Sequence, residues 1–296
     1  LKVDGVFSGG GVKSLAFIGA LEVAEEQGIR FERTAGTSAG AIMAALLAAG
    51  YSTKEIKHLF LDLDMGYFLQ EPTGIGRALP FLKWLTLYFS LGLYKGNRLE
   101  AWMKEKLLAK GIYRFSDLKP NTLKIVASDL SLGKIVVFPD DLERLYNLDG
   151  NHYSIARAVR ISASIPFFFR PVKFLGQTKR KNVLVDGGLL SNFPIWLFKD
   201  GEKKKRPILG MKISSLYDRI PAREVNGAID MFYALFTTMM QAHDARYISK
   251  TTSDQIMFIN TEEIEATDFH IDLETKKRLI DIGQRSAEKY LKRWTY

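Results

Sequence analysis

A pentapeptide of small residues, Gly36-Thr37-Ser38-Ala39-Gly40, falls between an extended segment, Arg30 to Thr34, and a run of strong helix formers, Ala41 to Ala49. It fits the G-x-S-x-G pattern of a strand-to-helix turn that lifts a serine hydroxyl for attack. A turn that sharp brings neighbouring backbone against the serine, and only side chains of Gly or Ala size fit beside it. A plain tight turn capped by Ser38 is the competing reading, and the pattern alone does not separate the two. The order of extended segment, turn and helix nevertheless points to a βα unit.

The same order occurs one unit earlier. Val3-Asp4-Gly5-Val6-Phe7 reads as a strand running into Ser8-Gly9-Gly10-Gly11-Val12-Lys13-Ser14 and then a helix from Leu15 to Gln27. A glycine loop between strand and helix exposes backbone N–H groups at a positive helix end, which suits anions. A Walker A phosphate loop needs Gly directly before Lys-Ser, where this chain has Val12. The dinucleotide pattern G-x-G-x-x-G fits Gly9 and Gly11 but meets Ser14 instead of a third glycine, with Glu32 as its best ribose partner. An oxyanion hole is the third role, and only this one also uses the serine turn, because both loops would leave the same edge of a parallel sheet. A bare turn needing positive φ stays open as well.

Helical spacing recurs over Lys54 to Leu63, Asn97 to Ala109, Ser154 to Ser162, Asn226 to Ile248 and Thr275 to Trp294. Strand-like runs cover Asn121 to Asp129, Lys134 to Phe138, Asn182 to Val185 and Pro207 to Ile213. In the long helix, Met231, Leu235, Met239 and Met240 form an apolar face expected to fill the core. The alternation of strands and helices predicts an α/β fold with a largely parallel sheet.

The 296 residues suffice for one large domain, or one with an appendage. The chain has no cysteine, which excludes disulfides, thiolate metal sites and cysteine nucleophiles. A net charge of +9 favours anionic partners. The clusters Lys179-Arg180-Lys181 and Lys203-Lys204-Lys205-Arg206 read as solvated loops, and no basic helix with base-contacting residues appears, so nucleic acid is not an expected partner. Thr34 to Thr53 is uncharged but Gly- and Ala-rich, which reads as a buried core helix rather than a membrane span. Gly74 to Tyr94 is aromatic and apolar, interrupted by Arg77, Pro80 and Lys83, and reads as a flap or interfacial helix. No basic-then-apolar leader opens the chain, so a cytoplasmic or peripheral membrane location is expected.

A serine nucleophile needs a base. The four histidines, His58, His152, His243 and His270, lie in charged or polar surroundings or late in the long helix, and His243 or His270 could formally complete a Ser-His-Asp arrangement. A carboxylate can replace histidine within hydrogen-bond reach in a partly dry site. Asp186 is the best candidate, because it ends the apolar strand Val183-Leu184-Val185 and is followed by Gly187-Gly188. An Asp-Gly turn is the plainer alternative.

Taken together, these blocks resemble the patatin-like phospholipases, acyl-ester hydrolases with a Ser-Asp dyad. The resemblance covers roughly Val3 to Ile213. It rests on Gly9-Gly10-Gly11-Val12-Lys13, the Ser38 pentapeptide, Ala127-Ser128-Asp129 with Gly133 and Val136-Val137-Phe138, Ala163-Ser164-Ile165-Pro166 with Phe169 and Pro171, and Asp186-Gly187-Gly188 with Asn192 and Pro194. Lys13 and Ser14 depart from the family's usual Arg and Gly.

The resemblance implies a three-layer α/β/α fold with Ser38 as nucleophile and Asp186 as base. It further implies oxyanion donors from Gly9, Gly10 and Gly11, with Lys13 holding that loop, and no cofactor or metal. The expected organisation is a catalytic core over residues 1–215, a lid or membrane-facing insertion near 66–96, and a helical part over 216–296 packed on the same domain. The expected substrate is a phospholipid or other lipid acyl ester met at an anionic membrane. A lipid- or nucleotide-binding regulator remains the alternative of another class.

Overall fold

The computed structural model describes residues 1–69, 89–175, 181–198, 206–214, 225, 227–248, 253–261 and 264–294. Most of the aromatic stretch, including Arg77, Pro80 and Lys83, lies outside them, as do Lys179, Arg180 and Lys203 to Lys205. Two βα units open the chain: β1 (Lys2–Phe7) with α1 (Ala16–Glu26), and β2 (Arg30–Thr37) with α2 (Ala39–Ala48). Next come α3 (Thr53–Asp62), β3 (Gly92–Tyr94), α4 (Asn97–Ala109), β4 (Leu123–Asp129), β5 (Lys134–Phe138), α5 (Asp141–Tyr146) and α6 (Ile155–Ser162). The remainder holds β6 (Phe167–Phe169), β7 (Val172–Leu175), β8 (Lys181–Asp186), α7 (Gly188–Ser191), β9 (Ile208–Ser214), α8 (Ala228–Ile248), β10 (Ile256–Asn260) and α9 (Leu273–Leu291).

Eight strands form one sheet in the order β10-β9-β1-β2-β4-β8-β7, with β5 paired to β4. Pairing is parallel from β10 through β4 and antiparallel where β4 meets β5 and β8 and where β8 meets β7. The link between β7 and β8 is too short for a crossover, so β8 has to run back. Alternate residues of the central strands enter two separate cores. Val3 and Phe7 of β1 and Met211 of β9 join the larger one, whereas Val6 and Ile208 join a smaller one with Phe193, Ile195 and Phe198. Both faces are therefore covered, as a three-layer α/β arrangement requires.

The pairing of β4 positions the site. Its first half runs parallel to β2, with Thr37 opposite Val126, and its second half runs antiparallel to β8, with Asp186 opposite Ala127. Two strands approaching from opposite directions thus end against consecutive residues of a third.

Two features differ from expectation. The carboxy-terminal part supplies β10 as well as helices, and this strand extends the sheet beside β9. Four of its five residues are apolar in an unbroken run, with no alternation to announce a strand. On α8 the Met-rich face does not fill the core: Met231, Leu235 and Met239 are about half exposed, while Phe236 and Asp244 are buried. That helix is apolar on nearly every side, so periodicity does not choose its rotation, and the buried carboxylate of Asp244 does.

Helix α9 packs on α1 at backbone distance. A Cβ on Gly283 would lie 1.8 Å from the Ala16 carbonyl oxygen, and one on Gly19 would lie 1.9 Å from that of Ile280. Lys276 of α9 also donates to the carbonyls of Phe60, Leu61 and Leu63 at 3.1, 3.2 and 2.5 Å, anchoring the end of α3. Substituting Gly283→Ala must separate the two helices and is expected to cost about 1–3 kcal/mol. Urea denaturation would show this as a lower midpoint at unchanged slope, and an unchanged midpoint would contradict the close approach.

Candidate active site

Ser38 occupies the corner between β2 and α2 with φ 56° and ψ −125°, a backbone conformation that L-residues adopt at a cost of about 1–3 kcal/mol. The surrounding contacts hold it there. A Cβ on Gly40 would meet the Phe7 carbonyl oxygen at 2.3 Å, so this residue lets α2 press against the end of β1. The Ser38 N–H donates to Ser162 Oγ at 2.9 Å, and that hydroxyl donates onward to the Val126 carbonyl at 2.6 Å. Thr37 Oγ1 donates to the Ser191 carbonyl at 2.9 Å.

The Ser38 hydroxyl donates to Asp186 Oδ2 at 2.6 Å. The other carboxylate oxygen accepts the Gly188 N–H at 2.7 Å, and the Asp186 N–H donates to the Ser164 carbonyl at 2.9 Å. Asp186 is 2% exposed. Burial disfavours its ionised form and outweighs the two hydrogen bonds that oppose it, raising its pKa to about 7. Such a carboxylate can both take and return a proton near neutrality.

The glycine loop approaches the same point. Ser8 is held by β9, its N–H donating to the Met211 carbonyl at 3.1 Å and its Oγ accepting the Ile213 N–H at 3.0 Å. The Gly9 N–H donates to the Asn192 carbonyl at 3.0 Å, so it already has an acceptor within the fold. Among the described residues the Gly10 and Gly11 N–H groups have none. Downstream, the Val12 N–H donates to the Ala266 carbonyl at 3.0 Å, and the Lys13 N–H closes the turn on the Gly10 carbonyl at 3.2 Å.

No histidine accepts the Ser38 proton. His58, His152 and His270 are exposed, and His152 Nδ1 is paired with Asp149 at 2.5 Å. Asp129 is buried but turned to other work: it accepts the Ser131 and Leu132 N–H groups at 2.8 and 3.0 Å, and the Tyr146 hydroxyl and Asn182 amide at 2.7 Å each. Reading the sequence also passed over Ser162 and Arg160. The buried Arg160 guanidinium donates to the Lys95 and Arg170 carbonyls at 2.6 and 2.9 Å and to Ser164 Oγ, and burial lowers its pKa to about 10. Its position on α6, one turn before the Ser164 carbonyl that holds Asp186, is the only signal that could have flagged it.

An apolar cleft of about 510 Å³, including its open mouth, leads away from Ser38 and Gly11. Ile42, Phe60, Phe68, Leu99, Ile165 and Phe269 line it, and among the described residues Ser14 is the only polar side chain besides Ser38. The Ser14 hydroxyl is turned onto the Gly11 carbonyl at 2.7 Å.

The chain belongs to the patatin-like phospholipase family, whose model matches residues 5–199. It is 47% identical over 296 residues to YqhO of Bacillus subtilis (strain 168), with both chains covered completely. It is 27% identical over 201 residues to the probable lipid hydrolase 463L of invertebrate iridescent virus 6, a match covering 64% of this chain and 61% of that one. Among solved structures it is similar in fold to VipD from Legionella pneumophila, with a TM-score of 0.60 at 16% identity, covering 99% of this chain and 67% of VipD. Membership implies a lipid acyl hydrolase activity. No described helix is long and apolar enough to cross a membrane.

The burial of Asp186 has a consequence for stability. Its pKa is about 7 in the fold against an ordinary aspartate value of 3.8, so between about pH 4 and pH 7 the folded chain binds more protons than the unfolded one. Stability is fully present below that window and falls as pH rises through it. Asp186→Asn is therefore expected to be more stable than the native protein at pH 8, by at most about 4 kcal/mol. Thermal melts across the window should show the gain shrinking to nothing near pH 4; a pH-independent difference would contradict the burial account.

Proposed function

We propose that the protein is a serine lipid acyl hydrolase of phospholipase A or lysophospholipase type, with Ser38 as nucleophile and Asp186 as its base. The observation that carries this reading is the 2.6 Å hydrogen bond from Ser38 to a buried carboxylate with a pKa near 7, at the end of an apolar cleft. Ser38 Oγ attacks the ester carbonyl carbon while its proton passes to Asp186 Oδ2. The carbonyl oxygen becomes an anion, and the Gly10 and Gly11 N–H groups are the donors available to it, each worth about 3 kcal/mol of barrier when aligned. Gly9 is left out of this role because its N–H is engaged by Asn192. Collapse of the intermediate breaks the ester bond, and the departing alcohol takes the proton from Asp186. Water then repeats the sequence on the acyl-serine, with Asp186 again as base. The acyl chain occupies the apolar cleft.

The same proposal places the catalytic core at residues 1–215, with residues 216–296 packed on it, and brings the site to an anionic lipid surface. Support for the surface comes from the net charge of +9 and from Phe89 and Leu91, which are exposed where the aromatic stretch ends. The stretch near 66–96 would then act as lid or membrane contact.

A fluorophosphonate should label one residue, Ser38, and Ser38→Ala and Asp186→Asn should each reduce fatty-acid release from a lipid panel by at least about 10³-fold. Full activity in Asp186→Asn would remove the dyad and leave the serine. Because Asp186 must be ionised to accept the proton, kcat/KM is expected to rise with pH through an apparent pKa near 7 and then level off. Sedimentation with phosphatidylserine vesicles should exceed that with phosphatidylcholine vesicles and weaken in salt; equal binding to both would count against an anionic surface.

A further inference from the structure

Behind the glycine loop lies a buried ion pair that the reaction itself does not use. Lys212 of β9 is 7% exposed and Asp244 of α8 is 2% exposed, and the Lys212 ammonium donates to Asp244 Oδ2. Neither residue falls within the stretch matched by the family model, which ends at 199. Taking two charges out of water is expensive, and a buried pair is weak evidence for added stability. What the pair touches is more informative.

Asp244 Oδ1 accepts the Phe193 N–H at 3.1 Å, and Asp244 Oδ2 faces the Asn192 side-chain amide at 3.5 Å. Asn192 is thereby gripped at its side chain and at the following peptide. Its carbonyl takes the Gly9 N–H, and its Oδ1 fills the space where a Gly9 Cβ would lie, 2.3 Å from that position. The same Gly9 position is 3.2 Å from Ser38 Cβ. On the other side, Lys212 lies on β9 between Met211 and Ile213, whose backbone groups hold Ser8. The ion pair thus joins the two supports of the Ser8-Gly9 segment, one on the strand and one on α8. The next two residues are those whose N–H groups have no acceptor among the described residues.

We infer that Asp244, locked by Lys212, is a positioning residue that sets the oxyanion-binding backbone of Gly10 and Gly11 by fixing Asn192 against Gly9. The inference rests on the serine hydrolase reading above. It assigns to α8, which lies outside the family-matched stretch, a role in the chemistry of a loop near the amino terminus.

The test compares Asp244→Asn with the native protein on a soluble acyl ester and on two inhibitors with the same acyl chain. A trifluoromethyl ketone forms a bond from Ser38 Oγ to its carbonyl carbon, passing the serine proton to Asp186 and placing an anionic oxygen in the hole. The matching secondary alcohol fills the cleft without an oxyanion. Expected for Asp244→Asn are a kcat lower by about 10- to 100-fold, a KM within about twofold, and a ketone affinity reduced by the same factor as kcat. Alcohol affinity and the pH limb near 7 should not move.

If the variant folds poorly with Lys212 left unpaired, Lys212→Met combined with Asp244→Asn removes that charge and takes the same readouts. Native kcat and a native ketone-to-alcohol ratio in either folded variant, or equal losses on ketone and alcohol, would overturn the inference. A native protein that neither hydrolyses acyl esters nor binds the ketone would overturn the underlying reading instead.

Discussion

The arrangement depends on one constraint, that β2 and β8 end against neighbouring residues of β4. Thr37 pairs with Val126 and Asp186 with Ala127, so the residue after one strand and the last residue of the other must meet. Neither side chain has to reach far, and the 2.6 Å contact between them follows from sheet register rather than from a flexible loop. The reversed direction of β8 is essential: a parallel strand at that position would carry its carboxy-terminal end past the corner instead of up to it. The supporting bonds obey the same geometry, with Ser162 bridging the Ser38 N–H and the Val126 carbonyl directly at the junction.

How much of this could be read from the chain depends on the range of the cause. The turn at Ser38 is local, because Gly36 is demanded by the backbone of Gly40 and Ala41, and Gly40 by that of Phe7 and Ser8. The glycine loop is legible as a run of glycines, although the groups that crowd it, Asn192, Ile213 and Ala266, lie far along the chain. The strand and helix order of the first fifty residues follows from the same local signals. The partnership of Ser38 with Asp186 is non-local, and from residue types alone Asp186 was one candidate beside an ordinary Asp-Gly turn. Its identification drew on the resemblance. Gly9 was expected as a donor alongside Gly10 and Gly11, and only the folded chain reveals that Asn192 takes the Gly9 N–H. The reading of α8 failed for a physical reason: when apolar side chains are spread around a helix, hydrophobic spacing contains no direction, and a single buried charge sets which face turns inward.

Buried charge is the common thread of the less legible residues. Asp186, Arg160, Lys276 and the Lys212–Asp244 pair are all shielded from water, and Asp186, Arg160, Lys276 and Asp244 each bind backbone groups. Arg160 and Lys276 bind carbonyls at the ends of strands and helices, where unpaired acceptors remain. Arg160 ties the end of β3 to the end of β6, and Lys276 holds the end of α3; Phe169 of β6 and Phe60 of α3 line the cleft. Sequence patterns treat such residues as exposed by default, so these were hidden in plain composition.

The backbone-close contact between α9 and α1 also bears on how the chain is made. Helix α1 follows directly from the glycine loop, yet the surface that covers it comes from the last helix. During synthesis this βα unit leaves the ribosome with that face of α1 uncovered, and it stays so until α9 has followed. Domains form as units once their sequence is available. The corner at Ser38 is therefore synthesised well before the helix that buttresses α1, so a product truncated ahead of α9 carries the serine without that support.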